Sequence, residues 1–290
     1  MSDEMSLIVS SSVSFVTALI AGGMAGTTVD VALFPIDTIK TRLQSPQGFL
    51  AAGGFRGIYQ GLGAAAVGSA PGAALFFSVY ESMKPRTLEW QQNIGIDSEA
   101  LSHMTAASMG EVAACLVRVP TEVIKSKMQT GNSVGLAHTF RSVLQERHGI
   151  MGNLTGGLYR GYGITLMREI PFALIQFPLY EYGKRLCGDL QGGIPATPFQ
   201  AAACGSLSGG LAAALTTPLD VLKTRLMLGA DKNGIPYAHA MDVWKRTVAE
   251  EGMEAMFRGI QPRVMWISIG GFVFFGAYEG YKSILIPILD

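Results

Sequence analysis

The sequence predicts an all-α membrane protein in which three similar repeats each contribute two membrane-spanning helices. Of its 290 residues, 49% are apolar and only 15% are charged, so the chain is richer in apolar residues than a typical soluble domain. Uncharged runs such as residues 5–29 and 57–80 are long enough to cross a bilayer, which takes about 20 helical residues. Two charged motifs also recur at intervals of roughly a hundred residues, which indicates an internal repeat.

The first of these motifs, which we call the proline motif, follows the pattern Pro-x-Asp/Glu-x-x-Lys and ends an apolar run in each repeat. Its prolines, Pro35, Pro120 and Pro218, lie 85 and 98 residues apart. In every copy the acid precedes the base by three residues, which places both on one face of a helix. The pairs are Asp37 with Lys40, Glu122 with Lys125, and Asp220 with Lys223.

The second motif, which we call the tyrosine motif, follows the pattern Tyr-Glu-x-x-Lys and ends the other apolar run of each repeat. Its glutamates lie 100 and 98 residues apart. Proline motifs therefore end the odd-numbered helices and tyrosine motifs end the even-numbered ones, so each set marks one end of the predicted bundle. Its members are Tyr80, Glu81 and Lys84; Tyr180, Glu181 and Lys184; and Tyr278, Glu279 and Lys282.

These markers predict six transmembrane helices within a single domain, residues 1–290. The first helix ends where Ser45-Pro46-Gln47-Gly48 follows its proline motif. An even number of spans places both termini on one side of the membrane. The repeats cover about residues 8–90, 98–190 and 196–288. The spans cover about residues 12–44, 63–85, 100–129, 161–186, 198–229 and 259–286.

A short surface helix is predicted between the two spans of each repeat. The segments concerned are bounded by glycines and lie at residues 54–61, 157–161 and 251–259. Pro71 and Pro171 lie inside apolar runs, where a membrane helix tolerates a kink if its neighbours satisfy the freed carbonyls.

The charged motifs suggest how such a bundle works. In three similar units the proline-motif faces converge on one axis, so each acid can bind the base of a neighbouring helix and close a ring. The tyrosine motifs can close a second ring at the opposite end. A cavity with a closable ring at each mouth is the arrangement of an alternating-access transporter. The alternatives are that each pair forms within its own helix, or that the charges lie at the interface and extend to water.

Together, the two motif sets and the repeat length resemble the mitochondrial carrier family, over nearly the whole chain. The resemblance implies a six-helix barrel with three-fold pseudo-symmetry and short matrix-side helices, as a multi-pass protein of the mitochondrial inner membrane. It also implies a matrix gate built from the proline motifs and a cytoplasmic gate built from the tyrosine motifs.

Carried over by residue, the resemblance specifies the partners within these gates. Asp37 would pair with Lys125, Glu122 with Lys223, and Asp220 with Lys40. Gln44 and Gln129 would brace two of these pairs, whereas Met227 occupies the third brace position, so that the third pair should be less well supported. The braces of the cytoplasmic gate would be Tyr80, Tyr180 and Tyr278.

Asp30 is the first candidate for substrate binding, because it breaks the repeat. It lies seven residues before Asp37, close to two helical turns, and should therefore face the same cavity. An acid within a span is costly and indicates a functional site, although it can instead be a polar residue bonded to a neighbouring helix. Glu111, eleven residues before Glu122, is a second asymmetric acid and lies within a small-residue packing segment.

Arg168 and Glu169 form an adjacent base and acid that can complement a zwitterion, since arginine binds a carboxylate through two hydrogen bonds and glutamate accepts from an ammonium. The family resemblance places this pair at the level of substrate contact, with Gly68 and Trp266 at the matching positions of the other repeats. Glycine leaves room for a ligand, and tryptophan offers a flat face to a base or a cation. Trp266 can alternatively be a packing or lipid-facing aromatic.

These groups describe a ligand with an amino-acid end, a positive charge and a planar body. Segments 107–120, 168–172, 176–179 and 268–272 resemble the S-adenosylmethionine carriers of the family. That resemblance implies import of S-adenosylmethionine into the matrix, with S-adenosylhomocysteine as the returning counter-substrate. It further implies a monomer in contact with membrane lipid such as cardiolipin. A carrier of another cationic amino acid or of a nucleotide, and a non-transporting scaffold or receptor with the carrier fold, remain alternatives.

Other function classes find little support in the composition. Lys plus Arg and Asp plus Glu both number 22, and no basic stretch points to nucleic acid. The four histidines have no nucleophile or metal-ligand spacing and no phosphate-binding loop is present, so we predict no enzyme, no catalytic residue, no cofactor and no metal site. Cys115, Cys187 and Cys204 are interpreted as reduced thiols of the core, with a redox or ligand role as the alternative.

Overall fold

The structure, a computed structural model, describes residues 15–93, 99–131, 135–145, 157–192, 194 and 197–289. Some side chains within these helices lie outside the description, among them Tyr278, Glu279 and Lys282. The described residues form nine α-helices: α1 (Phe15–Gln44), α2 (Leu62–Asn93), α3 (Glu99–Gln129), α4 (Leu136–Gln145), α5 (Tyr162–Leu190), α6 (Pro198–Leu215), α7 (Thr217–Leu228), α8 (Ala240–Glu251) and α9 (Ile260–Leu289). Short 3-10 helices at Gly157–Tyr159 and Met253–Phe257 precede α5 and α9.

The mainly helical class is confirmed for these residues, and the predicted long segments are all helical. Helices α1 and α3 end at Gln44 and Gln129, where their proline motifs end. The fifth predicted segment is divided, because α6 ends at Leu215 and α7 begins at Thr217. Pro218 lies in the first turn of α7, a position that proline favours because its missing backbone N–H would have no partner there.

The surface helix predicted at residues 54–61 is wrong, and the segments predicted at 157–161 and 251–259 hold only the short 3-10 helices Gly157–Tyr159 and Met253–Phe257, which α4 and α8 precede. Residues 45–61 form successive turns, closed by backbone hydrogen bonds such as that from the Gly48 N–H to the Ser45 carbonyl, at 3.0 Å. Gly53 and Gly57 have φ values of 111° and 59°, which residues with a side chain rarely adopt. Glycine in this left-handed conformation interrupts a helix, so this segment continues as turns.

Contacts between helices explain why one end of the bundle is narrow. Helix α2 packs on α3, α5 packs on α6, and α9 packs on both α1 and α6. The carboxyl-terminal parts of α1 and α3 also meet each other and α7. The three proline motifs are carried by these helices, and their charged side chains are thereby brought together at one end.

One helix among the described residues is long and apolar enough to cross a membrane, at Leu62–Gln91. The helix Phe199–Leu215 is apolar but shorter. Spanning of the membrane by the other long helices is therefore a proposal.

Candidate functional site

A cavity of about 500 Å³ lies between the helices beside the converging proline motifs. Residues of α1, α2, α3, α5, α7 and α9 line it, so all three repeats contribute. This volume is within the range of small-molecule sites, about 300–1,000 Å³. Its lining includes Asp30, Asp37, Lys40, Glu122, Lys125, Arg168, Asp220, Lys223 and Trp266.

Three ion pairs between neighbouring helices close one mouth of the cavity, and we call them the proline ring. Each has the partners that the resemblance implied, and none forms within a single helix. They are Lys125 Nζ with Asp37 Oδ2 at 2.7 Å, Lys223 Nζ with Glu122 Oε2 at 2.6 Å, and Lys40 Nζ with Asp220 Oδ2 at 2.7 Å. The pairs join α3 to α1, α7 to α3 and α1 to α7, which makes the ring continuous.

Two glutamines support this ring from the positions where braces were expected. The Gln44 amide donates to Asp220 Oδ2 at 2.9 Å, and the Gln129 amide donates to Asp37 Oδ2 at 2.9 Å. Met227 is 1% exposed and packs in an apolar cluster that includes Val123. A thioether has no N–H to donate, so methionine cannot reproduce the bond that the glutamines make.

Asp220 has additional basic partners that sequence reasoning missed. Arg263 Nη1 lies 2.5 Å from Asp220 Oδ1, and Arg168 Nη1 lies 3.6 Å from the same oxygen. Arg263 also donates to the Thr216 hydroxyl at 2.8 Å and is 2% exposed. Arg263 could have been noticed in the sequence as a single base near the start of an otherwise apolar run, where a charge is unusual.

At the opposite end, the tyrosine motif of the second repeat is paired within its own helix. Lys184 Nζ lies 2.8 Å from Glu181 Oε1 and 4.6 Å from the centre of the Tyr180 ring. Glu81 and Lys84 are exposed, and the Tyr80 ring stacks on Phe76. The side chains of Tyr278, Glu279 and Lys282 lie outside the described residues, so the third copy of this motif stays a prediction.

Asp30 lines the cavity as an acid without a basic partner in the described part of the chain. Its carboxylate accepts a hydrogen bond of 3.2 Å from the Ser69 hydroxyl. Trp266 lines the same cavity from α9. The negative charge of Asp30 is thus available to a cationic ligand, and Ser69, which the sequence did not single out, orients it.

Gly68 has a packing role in addition to lining the cavity. A Cβ atom built there would lie 2.3 Å from the Thr121 hydroxyl oxygen, closer than real Cβ atoms approach other heavy atoms. Glycine therefore lets α2 approach α3 at this level. The room predicted for a ligand beside Gly68 is taken up in part by Thr121.

The other predicted site acids lie beside arginines. Glu169 forms an ion pair with Arg168, and Arg168 lines the cavity while Glu169 is not among the lining residues. Glu111 pairs with Arg118 at 2.5 Å and is likewise absent from the lining, whereas Arg118, which was not predicted, lines the cavity. The structure thus places Arg168 and Arg118 in the cavity lining, whereas their partners Glu169 and Glu111 are not part of that lining.

Comparison with known proteins gives consistent similarities along the chain. The profile of the family described as Mitochondrial carrier protein matches residues 11–51, 46–89, 97–190 and 195–288. The Mitochondrial S-adenosylmethionine carrier protein of Danio rerio is 49% identical over 277 residues, which cover 94% of this chain and 98% of that protein.

Two further relatives are similar over the same extent. The S-adenosylmethionine mitochondrial carrier protein homolog of Drosophila melanogaster is 50% identical over 274 residues, covering 93% of each chain. The Putative mitochondrial carrier protein PET8 of Eremothecium gossypii is 50% identical over 275 residues, covering 93% of this chain and 98% of that protein.

Proposed function

This chain belongs to the mitochondrial carrier family, and from that premise we propose that it imports S-adenosylmethionine across the mitochondrial inner membrane. S-adenosylhomocysteine is the proposed counter-substrate that returns by exchange. The long helices are proposed to form six membrane spans in three repeats. The proposal rests above all on Asp30, which has no basic partner among the described residues and which, with Trp266, lines a cavity that a continuous ring of ion pairs closes at one mouth.

The cavity suits the three chemical parts of S-adenosylmethionine. Asp30 attracts the sulfonium cation, and Trp266 offers an aromatic face for the adenine or for the cation. Arg168 lines the cavity and is the proposed partner of the substrate carboxylate, which it can bind through two parallel hydrogen bonds. Glu169 behind it is the proposed partner for the ammonium group.

The proline ring is the proposed matrix gate, and the tyrosine motifs are the proposed cytoplasmic gate. In the present conformation all three ion pairs of the proline ring are formed between helices. By contrast, Lys184 pairs with Glu181 of its own helix, α5. This supports a state that is open toward the cytoplasm. These ion pairs are largely buried, so the attraction within each is offset by the desolvation of both charges, and differential binding of substrate to the two states can shift the equilibrium between them.

Arg168 is expected to couple the substrate to this gate. Its guanidinium lies between Glu169 and Asp220, so a substrate carboxylate competes with the Asp220 carboxylate of the ring for the same cation. Binding of the substrate is therefore expected to remove one of the three bases around Asp220, an acid of the ring.

Exchange in liposomes tests the proposal. Purified protein reconstituted with internal S-adenosylhomocysteine should take up labelled S-adenosylmethionine. Unlabelled S-adenosylmethionine should compete with it, and arginine, ornithine and ATP should not. Competition by arginine, ornithine or ATP would favour the alternative cargoes, and no uptake of any of these compounds would favour the non-transporting scaffold.

Two variants on α5 distinguish the loss of a binding residue from a general effect of removing an arginine from this helix. Arg168→Ala should abolish exchange while the protein remains folded, whereas Arg185→Ala, which changes an exposed arginine on the same helix, should retain it. Wild-type exchange by Arg168→Ala would remove Arg168 from the binding site.

A further inference from the structure

Cys187 and Cys204 face each other across the contact between α5 and α6. Their sulfur atoms lie 3.9 Å apart, and both cysteines are free and half-buried. The sequence-based interpretation of all three cysteines as core thiols is therefore wrong for this pair, and among the three only Cys115 is fully buried. Two half-exposed thiols at this distance form a candidate redox site.

The backbone around this pair is closely packed, which keeps the two thiols together. A Cβ atom built on Gly183 would lie 3.0 Å from Cys204 Sγ, so Cys204 rests on α5 about one turn before Cys187. A disulfide requires a sulfur separation near 2.05 Å. The two sulfurs thus lie within about 2 Å of bonding distance, on helices that already touch.

We propose that Cys187 and Cys204 form a reversible disulfide that ties α5 to α6 and arrests transport. The inference rests on the proposed function, because the disulfide is expected to stop transport by preventing the proposed cytoplasmic gate from closing. Helix α5 belongs to the second repeat and α6 to the third, so the bond joins two repeats that transport requires to move against each other.

The position of the bond relative to the tyrosine motif explains the expected arrest. Lys184 lies three residues before Cys187 and now pairs with Glu181 in its own helix. To close the proposed cytoplasmic gate, Lys184 must leave Glu181 and reach a different helix, and the end of α5 must move with it. A covalent bond from Cys187 to α6 opposes that movement.

The chemistry balances with a hydroperoxide as oxidant. The thiolate of one cysteine attacks the peroxide oxygen and becomes a sulfenic acid, which with hydrogen peroxide releases water. The thiol of the second cysteine then attacks the sulfenic sulfur, which forms the S–S bond and releases a second water. Two thiols and one hydrogen peroxide thus give one disulfide and two waters, and a dithiol reductant reverses the step by exchange.

Peroxide treatment of the reconstituted full-length protein tests this inference. A peptide linking Cys187 to Cys204 should appear by mass spectrometry, exchange should be lost, and dithiothreitol should restore both. Cys187→Ser and Cys204→Ser should each keep their own untreated exchange rate under peroxide. Cys115→Ala, which leaves the pair intact, should lose exchange as the wild type does.

Three results would overturn the inference. The first is that no linked peptide forms, and the second is that the linked peptide forms while exchange continues unchanged. The third is that both serine variants lose exchange under peroxide as the wild type does. Failure of the proposed function is distinguishable, because the untreated reduced protein would then not exchange S-adenosylmethionine at all, while the linked peptide could still be measured.

Discussion

The guanidinium of Arg263 and the carboxylate of Asp220 form an ion pair of 2.5 Å in which each side chain is only 2% exposed. Lys40 binds the other oxygen of the same carboxylate at 2.7 Å, and Arg168 lies 3.6 Å from the oxygen that Arg263 contacts. Within the described residues, Asp37 and Glu122 each have one basic side chain at ion-pair distance. The proline ring is therefore asymmetric, and its most strongly held acid is in the third repeat.

Arg263→Gln is expected to destabilise the protein in this conformation. It leaves Asp220 paired with Lys40 but removes a buried contact, so the free energy of unfolding should fall by about 1–3 kcal/mol. Unfolding in detergent measures this. Arg141→Gln is the matched control, because Arg141 is exposed on α4. Equal effects of the two substitutions would contradict a special role for Arg263.

Gln44→Met and Gln129→Met should loosen the ring by imitating what Met227 already does in the third repeat. Gln44 also accepts a 2.6 Å hydrogen bond from the Thr224 hydroxyl, and Gln129 also donates to the Thr38 hydroxyl at 3.1 Å. Each substitution removes two hydrogen bonds and should lower the free energy of unfolding by about 1–3 kcal/mol.

The thermal midpoint of each glutamine variant provides the measurement. Gln145→Met serves as the control because Gln145 is exposed on α4. If the midpoints of Gln44→Met and Gln129→Met stayed at that of the control, the bracing interpretation would be wrong.

Asp30→Asn should discriminate between the two proposed substrates. S-adenosylmethionine carries the sulfonium charge and S-adenosylhomocysteine does not, so loss of the carboxylate should weaken uptake of the former by about tenfold more, on the order of 1.4 kcal/mol. Asparagine keeps an oxygen for the hydrogen bond from Ser69.

Competition assays in liposomes with both compounds measure this ratio. Ser69→Ala is the companion variant, since it removes the hydrogen bond and retains the charge. Equal losses for both compounds in Asp30→Asn would remove Asp30 from recognition of the sulfonium.

The members of the proline ring were readable from the sequence because their motif recurs three times. The partners within it, such as Asp37 with Lys125 and Asp220 with Lys40, came from the family resemblance, since a ring of three equivalent units gives each acid two neighbouring bases. Arg263, Arg118 and Ser69 could not be assigned in this way. They do not recur in the other repeats, and their importance depends on side-chain directions that spacing alone does not determine.

The misassigned features have similar physical causes. Helical arithmetic put Glu111 near the cavity face, but Arg118 lies within reach on the same helix and pairs with it. Residues 54–61 looked like the surface segments of the other repeats, yet the left-handed conformations of Gly53 and Gly57 turn the chain repeatedly. In the first case a local ion pair outweighed helical spacing, and in the second the local backbone conformation outweighed a pattern shared by the repeats.

Glu251 in α8 should give the protein an acid-sensitive contact outside the proposed spans. Burial opposes its ionisation, but hydrogen bonds and charge from Arg225, together with the charge of Arg258, outweigh burial and lower the pKa of Glu251 below its usual 4.5. A carboxylate whose pKa is lowered by folding stabilises the protein above its unfolded pKa, and this contribution is lost as the pH falls through the folded pKa.

The free energy of unfolding should therefore decrease as the pH falls below about 4.5, and Glu251→Gln should show a shallower decrease. Glu254→Gln, which changes an exposed neighbour, should retain the wild-type profile. Denaturant titrations from neutral pH to well below pH 4.5 compare the three proteins. A Glu251→Gln profile parallel to that of the wild type would show that this contact does not contribute.

The most direct test of the proposed gate exchanges the charges of one ion pair. Asp37 and Lys125 lie 2.7 Å apart on α1 and α3, so Asp37→Lys and Lys125→Asp each place two like charges in contact. S-adenosylmethionine exchange in liposomes should be lost in each single variant and restored in the double variant, because the pair is then re-formed in the opposite sense. Wild-type exchange by the single variants, or a folded double variant as inactive as they are, would contradict the proposal that this ring opens and closes during transport.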